Sequence, residues 1–208
     1  MVTGMVGASS RRPSITPFSQ VHRKVPDRAP VAVIGSSVAQ APALGATAVP
    51  DLAELVALYY ANVAVDDLVD QDPLDVLGAA LSHRQAAAHR DPGQTLVRVH
   101  TPTIEENGWS NGHTCVEIVS DDMPFLVDSV GMALADMGVG VHVLGHPLVR
   151  MTRDASGKLQ AVGEGKAESL MLLEIDRQVP AAMRAIEQRL VEVLDEARLA
   201  LRVLHHER

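Results

Sequence analysis

Two adjacent aspartates, Asp121 and Asp122, stand directly before a proline and an apolar segment. Two neighbouring carboxylates can share a proton in acid–base catalysis or hold a cation. A second use competes with this chemistry, because an aspartate before an apolar periodic segment typically caps the free backbone N–H groups of a helix. Pro124 fits that use, since a proline in the first helical turn loses no hydrogen bond. The pattern favours the capping role.

Three histidines form a second candidate group. His142 and His146 lie four residues apart on an extended segment, so both side chains can face the same way. His113 stands at the start of a neighbouring predicted strand, and three imidazoles could bind zinc. The spacing passes through Gly145, however, and no second cysteine is available as a ligand. The sequence therefore predicts no metal site.

The sequence contains no complete motif for cofactor binding or nucleophilic catalysis. Gly138-Val-Gly140 with Gly145 is loosely similar to a dinucleotide fingerprint, which must follow a strand and open a helix. Here the glycines follow a predicted helix and open a strand. Cys115 lies within a predicted strand without an activating base, which indicates an inert core residue. We expect no catalytic residue and no bound cofactor on this chain.

The composition indicates a globular protein with an aliphatic core. The 208 residues are 47% hydrophobic and carry a formal net charge of −8, with only five aromatic side chains. An acidic chain has no excess of Lys and Arg to displace phosphate counterions, which argues against nucleic acid as a partner. No apolar run approaches the roughly 20 residues of a membrane helix. A single cysteine is typical of a reducing cytoplasm, so we expect a cytoplasmic protein.

The first 48 residues differ from the rest. They are basic, rich in Pro, Ser and Gly, and without helical or strand period, which predicts a disordered segment over residues 1–48. The alternative is an export signal built from Arg11-Arg12, the apolar stretch Val31–Val38 and Ala46-Thr47-Ala48. Gly35 and two serines interrupt the apolar stretch, so disorder is the favoured interpretation.

A helical pair is predicted over residues 49–93. Apolar residues between Leu52 and Val63 fall on one helical face. A second helix is predicted over Leu74–His89, started by Asp72-Pro73 and stopped by the Asp-Pro-Gly sequence that follows.

Residues 94–208 alternate between strand and helix patterns. The predicted elements are strands at 95–100 and 114–120, a helix at 121–137, a long strand at 139–153 bent near Gly145 and Pro147, strands at 158–162 and 167–176, a helix from Pro180 and a short strand at 201–204. From residue 114 this is the βαββαβ order of ferredoxin-like α+β domains, an antiparallel sheet with helices on one face. The strand at 95–100 adds an edge.

Several segments also suggest a family. Ser120-Asp-Asp-Met-Pro-Phe-Leu-Val-Asp-Ser-Val130 and Gly138-Val-Gly-Val-His-Val-Leu-Gly-His-Pro147 resemble the N-terminal, ACT-like region of the large bacterial NAD-dependent glutamate dehydrogenases. Tyr59-Tyr60 and Asn107-Gly-Trp109 share this resemblance, which covers residues 51–208. It implies a parent enzyme that deaminates L-glutamate to 2-oxoglutarate and ammonium with NAD. It also implies that the catalytic domain lies far downstream.

The resemblance implies where a ligand or partner would bind. ACT domains bind amino acids where the first strand turns into the first helix, often between two copies. The candidate ligand or interface residues are Asp121, Asp122, Pro124, Phe125, His142 and His146. Ordinary ACT domains carry a glycine after the proline, whereas this chain carries Phe125. Asp121 and Asp122 would also repel the carboxylate of an amino-acid ligand, although either aspartate could bind the ligand's ammonium group.

The resemblance therefore implies a noncatalytic regulatory or assembly segment of that enzyme. Its partners would be downstream domains of the same polypeptide, further copies in a homo-oligomer and an amino-acid effector. The alternative is a free-standing ACT-type amino-acid sensor, and a small enzyme using the Asp and His residues is disfavoured. Helices on one face alone would leave the other sheet face and the sheet edges open, which predicts association through them.

Overall fold

The computed structural model describes residues 31–61, 63, 68 and 71–206. The elements in chain order are α1 Val31–Val38, α2 Leu52–Tyr59, α3 Pro73–Ala86, β1 Leu96–His100, α4 Ile104–Asn107, β2 Thr114–Asp121, α5 Leu126–Asp136, β3 Val141–Gly145, β4 Leu148–Arg153, β5 Leu159–Val162, β6 Lys166–Ile175 and α6 Pro180–His206. The α+β class is confirmed. Among the described helices, none combines the length and apolar character needed to span a bilayer.

The six strands form one antiparallel sheet in the order β1-β2-β6-β4-β5, and β3 also pairs with β6. β3 and β4 pair with opposite ends of the ten-residue β6, at Leu144↔Leu173 and Leu148↔Ser169. They are the two halves of the predicted long strand. The predicted bend is confirmed between them, where Pro147 has no N–H to donate to a sheet ladder.

The two central strands are buried on both faces. All residues of β2 except Asp121 are buried, and the last eight residues of β6 are buried. Val116 and Ile118 face one side of the sheet, whereas Cys115 and Val119 belong to the core on the other. A sheet that is apolar on both faces requires a covering layer on each, because apolar surface is stabilised by removal from water.

One face is covered by α5 and α6. Leu126, Val130 and Leu134 of α5 pack with the strands in a core that also includes Ile186 and Leu190 of α6. Both helices follow the order predicted from the sequence, with α5 between β2 and β3 and α6 after β6. The predicted helix from Pro180 therefore packs its apolar side on the sheet of the same domain.

The opposite face is covered as well, by α1, α2 and α3. Leu55 and Tyr59 of α2 and Leu77 of α3 pack in a core that includes Val119 and Leu172 of the sheet. The expectation that this sheet face is open is therefore wrong. The two helices predicted before the sheet are present as α2 and α3, and their apolar sides cover this sheet face.

Residues 31–48 are ordered, which corrects the prediction of disorder for that part of the chain. Val31–Val38 form α1, and the following turns bury Ala41 and Ala46 against the α2–α3 layer. The segment's prolines do not interrupt α1, because Pro30 precedes it and Pro42 lies in the turns after it. Residues 1–30 lie outside the described residues, so the prediction for them stays a prediction.

The predicted short strand at 201–204 is wrong, since α6 continues to His206. No glycine or proline interrupts residues 181–206, so the chain contains no local signal to end the helix. The place beside β2 is taken instead by β1, which pairs through Val99↔Val116 and Val97↔Ile118. The predicted edge strand is thus the fourth strand of the ferredoxin-like arrangement.

Gly78 in α3 lies in close contact with Trp109. The indole of Trp109, which is 3% exposed, lies against this glycine. A Cβ atom at Gly78 would lie 2.2 Å from Cγ of Trp109, well inside the contact distance of two carbon atoms. Any side chain here must displace the indole or the helix.

We predict that Gly78→Ala destabilises the protein by about 2 kcal/mol, because overpacking exceeds the gain in helix propensity. Gly35→Ala is the matched control, since nothing beyond its chain neighbours and the backbone of its own helix lies within 4 Å of a Cβ there. That control should raise the free energy of unfolding by up to about 1 kcal/mol. Urea unfolding of both variants tests the packing, and equal effects of the two substitutions would contradict it.

Candidate functional site

Asp121 ends β2 and joins three elements. Its Oδ1 atom lies 3.0 Å from Nη2 of Arg90 and 2.8 Å from Nζ of Lys166. Burial raises the pKa of this carboxyl group, but the hydrogen bond from Lys166 and the positive charge of Arg90 outweigh burial, so the pKa is lowered. Asp121 is therefore an ionised partner of two cations, which is a structural role.

The segment after Asp121 does not form the predicted helix start. Asp122 is exposed, Pro124 lies in a turn, and the helix begins only at Leu126. Its N-cap residue is Phe125, and no side chain accepts a hydrogen bond from the first helical N–H groups. The predicted aspartate cap is wrong, because Asp121 is engaged by Arg90 and the turn separates both aspartates from the helix.

Phe125 has an unusual conformation for an exposed aromatic residue. Its φ angle is 63°, in the left-handed region that glycine adopts without strain. Its side chain is 69% exposed. The left-handed backbone costs about 1 kcal/mol for a residue with a Cβ atom. The position after the proline, where ordinary ACT domains carry glycine, thus has a glycine-like backbone in this chain too.

We predict that Phe125→Gly leaves the free energy of unfolding unchanged or raises it by up to about 1 kcal/mol, because strain is relieved and little burial is lost. Tyr59→Ala is the contrasting variant. Tyr59 is 2% exposed, so truncating its ring should cost about 3 to 5 kcal/mol. Chemical denaturation measures both, and a loss at Phe125 as large as that at Tyr59 would contradict the exposed, strained position.

A second cluster of charges lies beside Asp121. Arg153 binds the buried carboxylate of Glu168 through two atoms, with Nε at 2.7 Å and Nη2 at 3.0 Å from its two oxygens. Arg90, only 3% exposed, lies 3.1 Å from the same carboxylate. Arg153 also donates to the carbonyl oxygens of Ala87 and Gly157. The cluster therefore fastens the end of α3 to β4 and β6.

This cluster borders a cavity of about 370 Å³. Its lining residues are Arg90, Pro92, Asp121, Met151, Thr152, Arg153, Asp154, Gly157, Gly165, Lys166 and Glu168. The lining carries three basic and three acidic side chains, so it offers charges of both signs. Most of these groups already pair with one another, and a ligand would compete with those pairs.

A third polar cluster surrounds Glu117, which is 1% exposed in the middle of β2. Arg98, its partner across the β1–β2 ladder, donates from Nε at 2.7 Å, and its Nη2 also donates to the Ser82 carbonyl oxygen of α3 at 2.6 Å. His100 Nε2 lies 3.3 Å from the other carboxylate oxygen. Burial raises the pKa of Glu117, but His100 and Arg98 outweigh it and lower the pKa to about 2. Glu117 can be buried because Arg98 and His100 satisfy its charge.

His83 of α3 connects the same layers without a charge. Its Nε2 atom lies 3.2 Å from the carbonyl oxygen of Ile118, which can only accept, so this nitrogen carries the proton. Nδ1 then accepts from the Tyr59 hydroxyl at 2.8 Å. Burial lowers the pKa of His83 and raises that of Tyr59 well above its ordinary value, so both remain neutral.

We predict that Glu117→Gln lowers the free energy of unfolding by about 3 kcal/mol at pH 7. Because the folded-state pKa is depressed, the contribution is fully present above the unfolded-state pKa near 4.5 and is lost as the pH falls toward 2. Urea unfolding between pH 3 and 7 should show the gap between wild type and variant closing below pH 4.5. Glu105→Gln, an exposed charge on α4, is the control. A pH-independent gap would contradict ionised Glu117.

The structure brings two of the three candidate histidines together. His113 and His142 stack with ring centroids 4.5 Å apart, and His142 Nε2 lies 2.8 Å from Oδ1 of Asp176. His146 lies elsewhere, with Nε2 2.7 Å from the Ser169 hydroxyl. Within residues 31–61, 63, 68 and 71–206, no group of three or more His, Cys, Asp or Glu side chains is arranged to hold a metal ion.

Sequence reasoning missed the residues that carry most of the polar structure: Arg90, Arg98, Arg153, Glu117 and Glu168. Charges that alternate with apolar residues along a strand are a usable signal, because they place Arg98 and Glu117 on one face of paired strands. The core assignment of Cys115 is confirmed. Its thiol is fully buried, and burial raises its pKa to about 12.

The architecture and these clusters define an ACT-like α+β domain whose buried charges join a helical layer to its sheet. The chain belongs to the family of the glutamate dehydrogenase ACT1 domain, whose sequence profile matches residues 55–190. It is 36% identical over 166 residues to the NAD-specific glutamate dehydrogenase of Pseudomonas aeruginosa, a match that covers 76% of this chain and 10% of that enzyme.

The corresponding enzyme of Halomonas elongata is 39% identical over 152 residues, covering 69% of this chain and 9% of the relative. The chain thus spans about a tenth of the length of the curated relatives that it matches. No solved structure gives a significant match. The resemblance noted in the sequence is confirmed at the level of the family.

Proposed function

We propose that this chain acts as a noncatalytic N-terminal regulatory and assembly segment of a large NAD-dependent glutamate dehydrogenase. The parent reaction would convert L-glutamate to 2-oxoglutarate and ammonium with NAD. The enzyme would be a cytoplasmic homo-oligomer, and NAD would bind to its downstream part. The family match and the two named relatives support this proposal.

The assembly role is supported chiefly by the β2–α5 turn, where Asp121 is already paired and Phe125 is exposed. ACT domains bind amino acids at this turn, but here Asp121 is occupied by Arg90 and Lys166. No side chain in the turn is a base that could hold a ligand carboxylate. Phe125 points an aromatic ring into solvent instead. These groups favour contact with another protein surface over contact with a small zwitterion.

A second candidate function is amino-acid sensing by a free-standing module. The cavity beside Arg90 favours it, because its size suits a small ligand and its lining holds both acidic and basic side chains. An amino acid would place its carboxylate near Lys166 and its ammonium group near Asp121. Calorimetric titration of the chain with L-amino acids, including L-glutamate, tests this alternative, and Lys166→Ala with Asp121→Asn should abolish any heat it produces.

Segment exchange in a relative tests the assembly role. In the Pseudomonas aeruginosa enzyme, the matched segment would be deleted or replaced by this chain. We expect the deletion to lose native oligomeric mass by light scattering and L-glutamate-dependent NAD reduction, and the chimera to recover both. The isolated chain should show neither NAD reduction nor NAD binding. A deletion variant that assembles and turns over like the intact enzyme would contradict the proposal, as would NAD reduction by the isolated chain.

A further inference from the structure

Phe125 differs from the other aromatic residues of the described chain. Tyr59, Tyr60 and Trp109 are between 2% and 4% exposed, whereas Phe125 is 69% exposed. Its left-handed φ of 63° adds strain that a glycine would avoid. Neither burial nor backbone conformation therefore explains a phenylalanine at this position. Strained residues that the fold does not require are typical of functional sites.

The outer side of α5 continues this surface. Phe125 lies immediately before the first residue of α5, and Met132 lies within the helix, four residues after Asp128 and four before Asp136, so these three residues share one helical face. Met132 is 68% exposed. Asp128 and Asp136 are exposed on the same face, and α5 contains no basic residue. In the described part of the chain neither aspartate forms an ion pair. We call Phe125, Asp128, Met132 and Asp136 the α5 face.

We infer that the α5 face is the docking surface for a downstream domain of the same polypeptide, through an apolar pocket with basic residues at its rim. This inference rests on the proposed function. Aromatic and methionine side chains are enriched at protein interfaces, and charges there are grouped at the rim. The acidic rim selects a basic partner surface.

Two observations select this occupant over a second copy. In a symmetric dimer through α5, the aspartates of one copy would face those of the other, and like charges in contact oppose association. The matched relatives carry about nine tenths of their length outside the matched region, so a large additional protein surface accompanies this domain in them.

The test uses the chimeric Pseudomonas aeruginosa enzyme that contains this chain. Phe125→Gly and Phe125→Asn remove the ring and keep residues that tolerate a left-handed backbone. We expect about a tenfold or greater loss of assembled enzyme at a fixed low concentration, measured by light scattering, since buried aromatic anchors dominate interface energetics. Asp128→Lys with Asp136→Lys should cause a loss that is smaller at high salt. Ile104→Ser is the matched control, because Ile104 is 58% exposed and belongs to a separate helix, α4.

The thermal midpoint of the isolated chain separates docking from folding. Phe125→Gly should leave the midpoint unchanged or raise it while assembly falls, a combination that a purely structural role does not produce. If the chimera fails to assemble with the wild-type segment, the proposed function fails. If it assembles equally well with Phe125→Gly, this inference alone is overturned. If the isolated chain dimerises and Phe125→Gly abolishes the dimer, the partner of the α5 face is a second copy of this chain and not a downstream domain.

Discussion

The architecture depends on a sheet whose central strands are apolar on both faces. β2 and β6 are buried along almost their whole length, so neither face can remain exposed to water. The ferredoxin-like helices α5 and α6 satisfy one face, and α1, α2 and α3 satisfy the other. The helical segment before the sheet is therefore part of one three-layer structure. Its removal would expose the side chains of Val119, Leu170 and Leu172.

Charged groups fix how the helical layer sits on the sheet. Glu117 and Glu168 are buried on the face toward α3, and each is paired with an arginine. Burying an unpaired carboxylate is costly, so a displaced α3 or a shifted strand register would leave a charge unsatisfied. Arg98 reaches Ser82 of α3, and Arg153 reaches the Ala87 carbonyl just after it. Two separate contacts thus hold the same helix.

The elements with clear local signals could be predicted from the sequence. The Asp72-Pro73 start of α3 is confirmed by a 2.8 Å hydrogen bond from the Leu74 N–H to Asp72. The break between β3 and β4, the start of α6 at Pro180 and the burial of Cys115 follow from similarly local patterns. The family could be recognised because the segment from Ser120 to Val130 is long and distinctive.

Features that depend on contacts distant in sequence could not be predicted in this way. Asp121 resembles a helix cap locally, but Arg90 and Lys166, which lie 31 and 45 residues away, engage it instead. The strand predicted at 201–204 does not form. The position beside β2 that it would occupy is taken by β1, about a hundred residues earlier in the chain. The burial of Glu117 could not be predicted either, because its partner Arg98 is identified only by the register of β1 on β2.

The most direct test of this account is native-state hydrogen exchange, compared between residues 31–208 and residues 94–208. If both helical layers are needed, the β2 and β6 amides should be the most protected in the longer chain. They should lose most of that protection in the shorter one, which lacks α1, α2 and α3. Equal protection in the two chains would show that residues 94–208 fold alone. It would then contradict the central claim that the helical layer and the sheet form one cooperative structure.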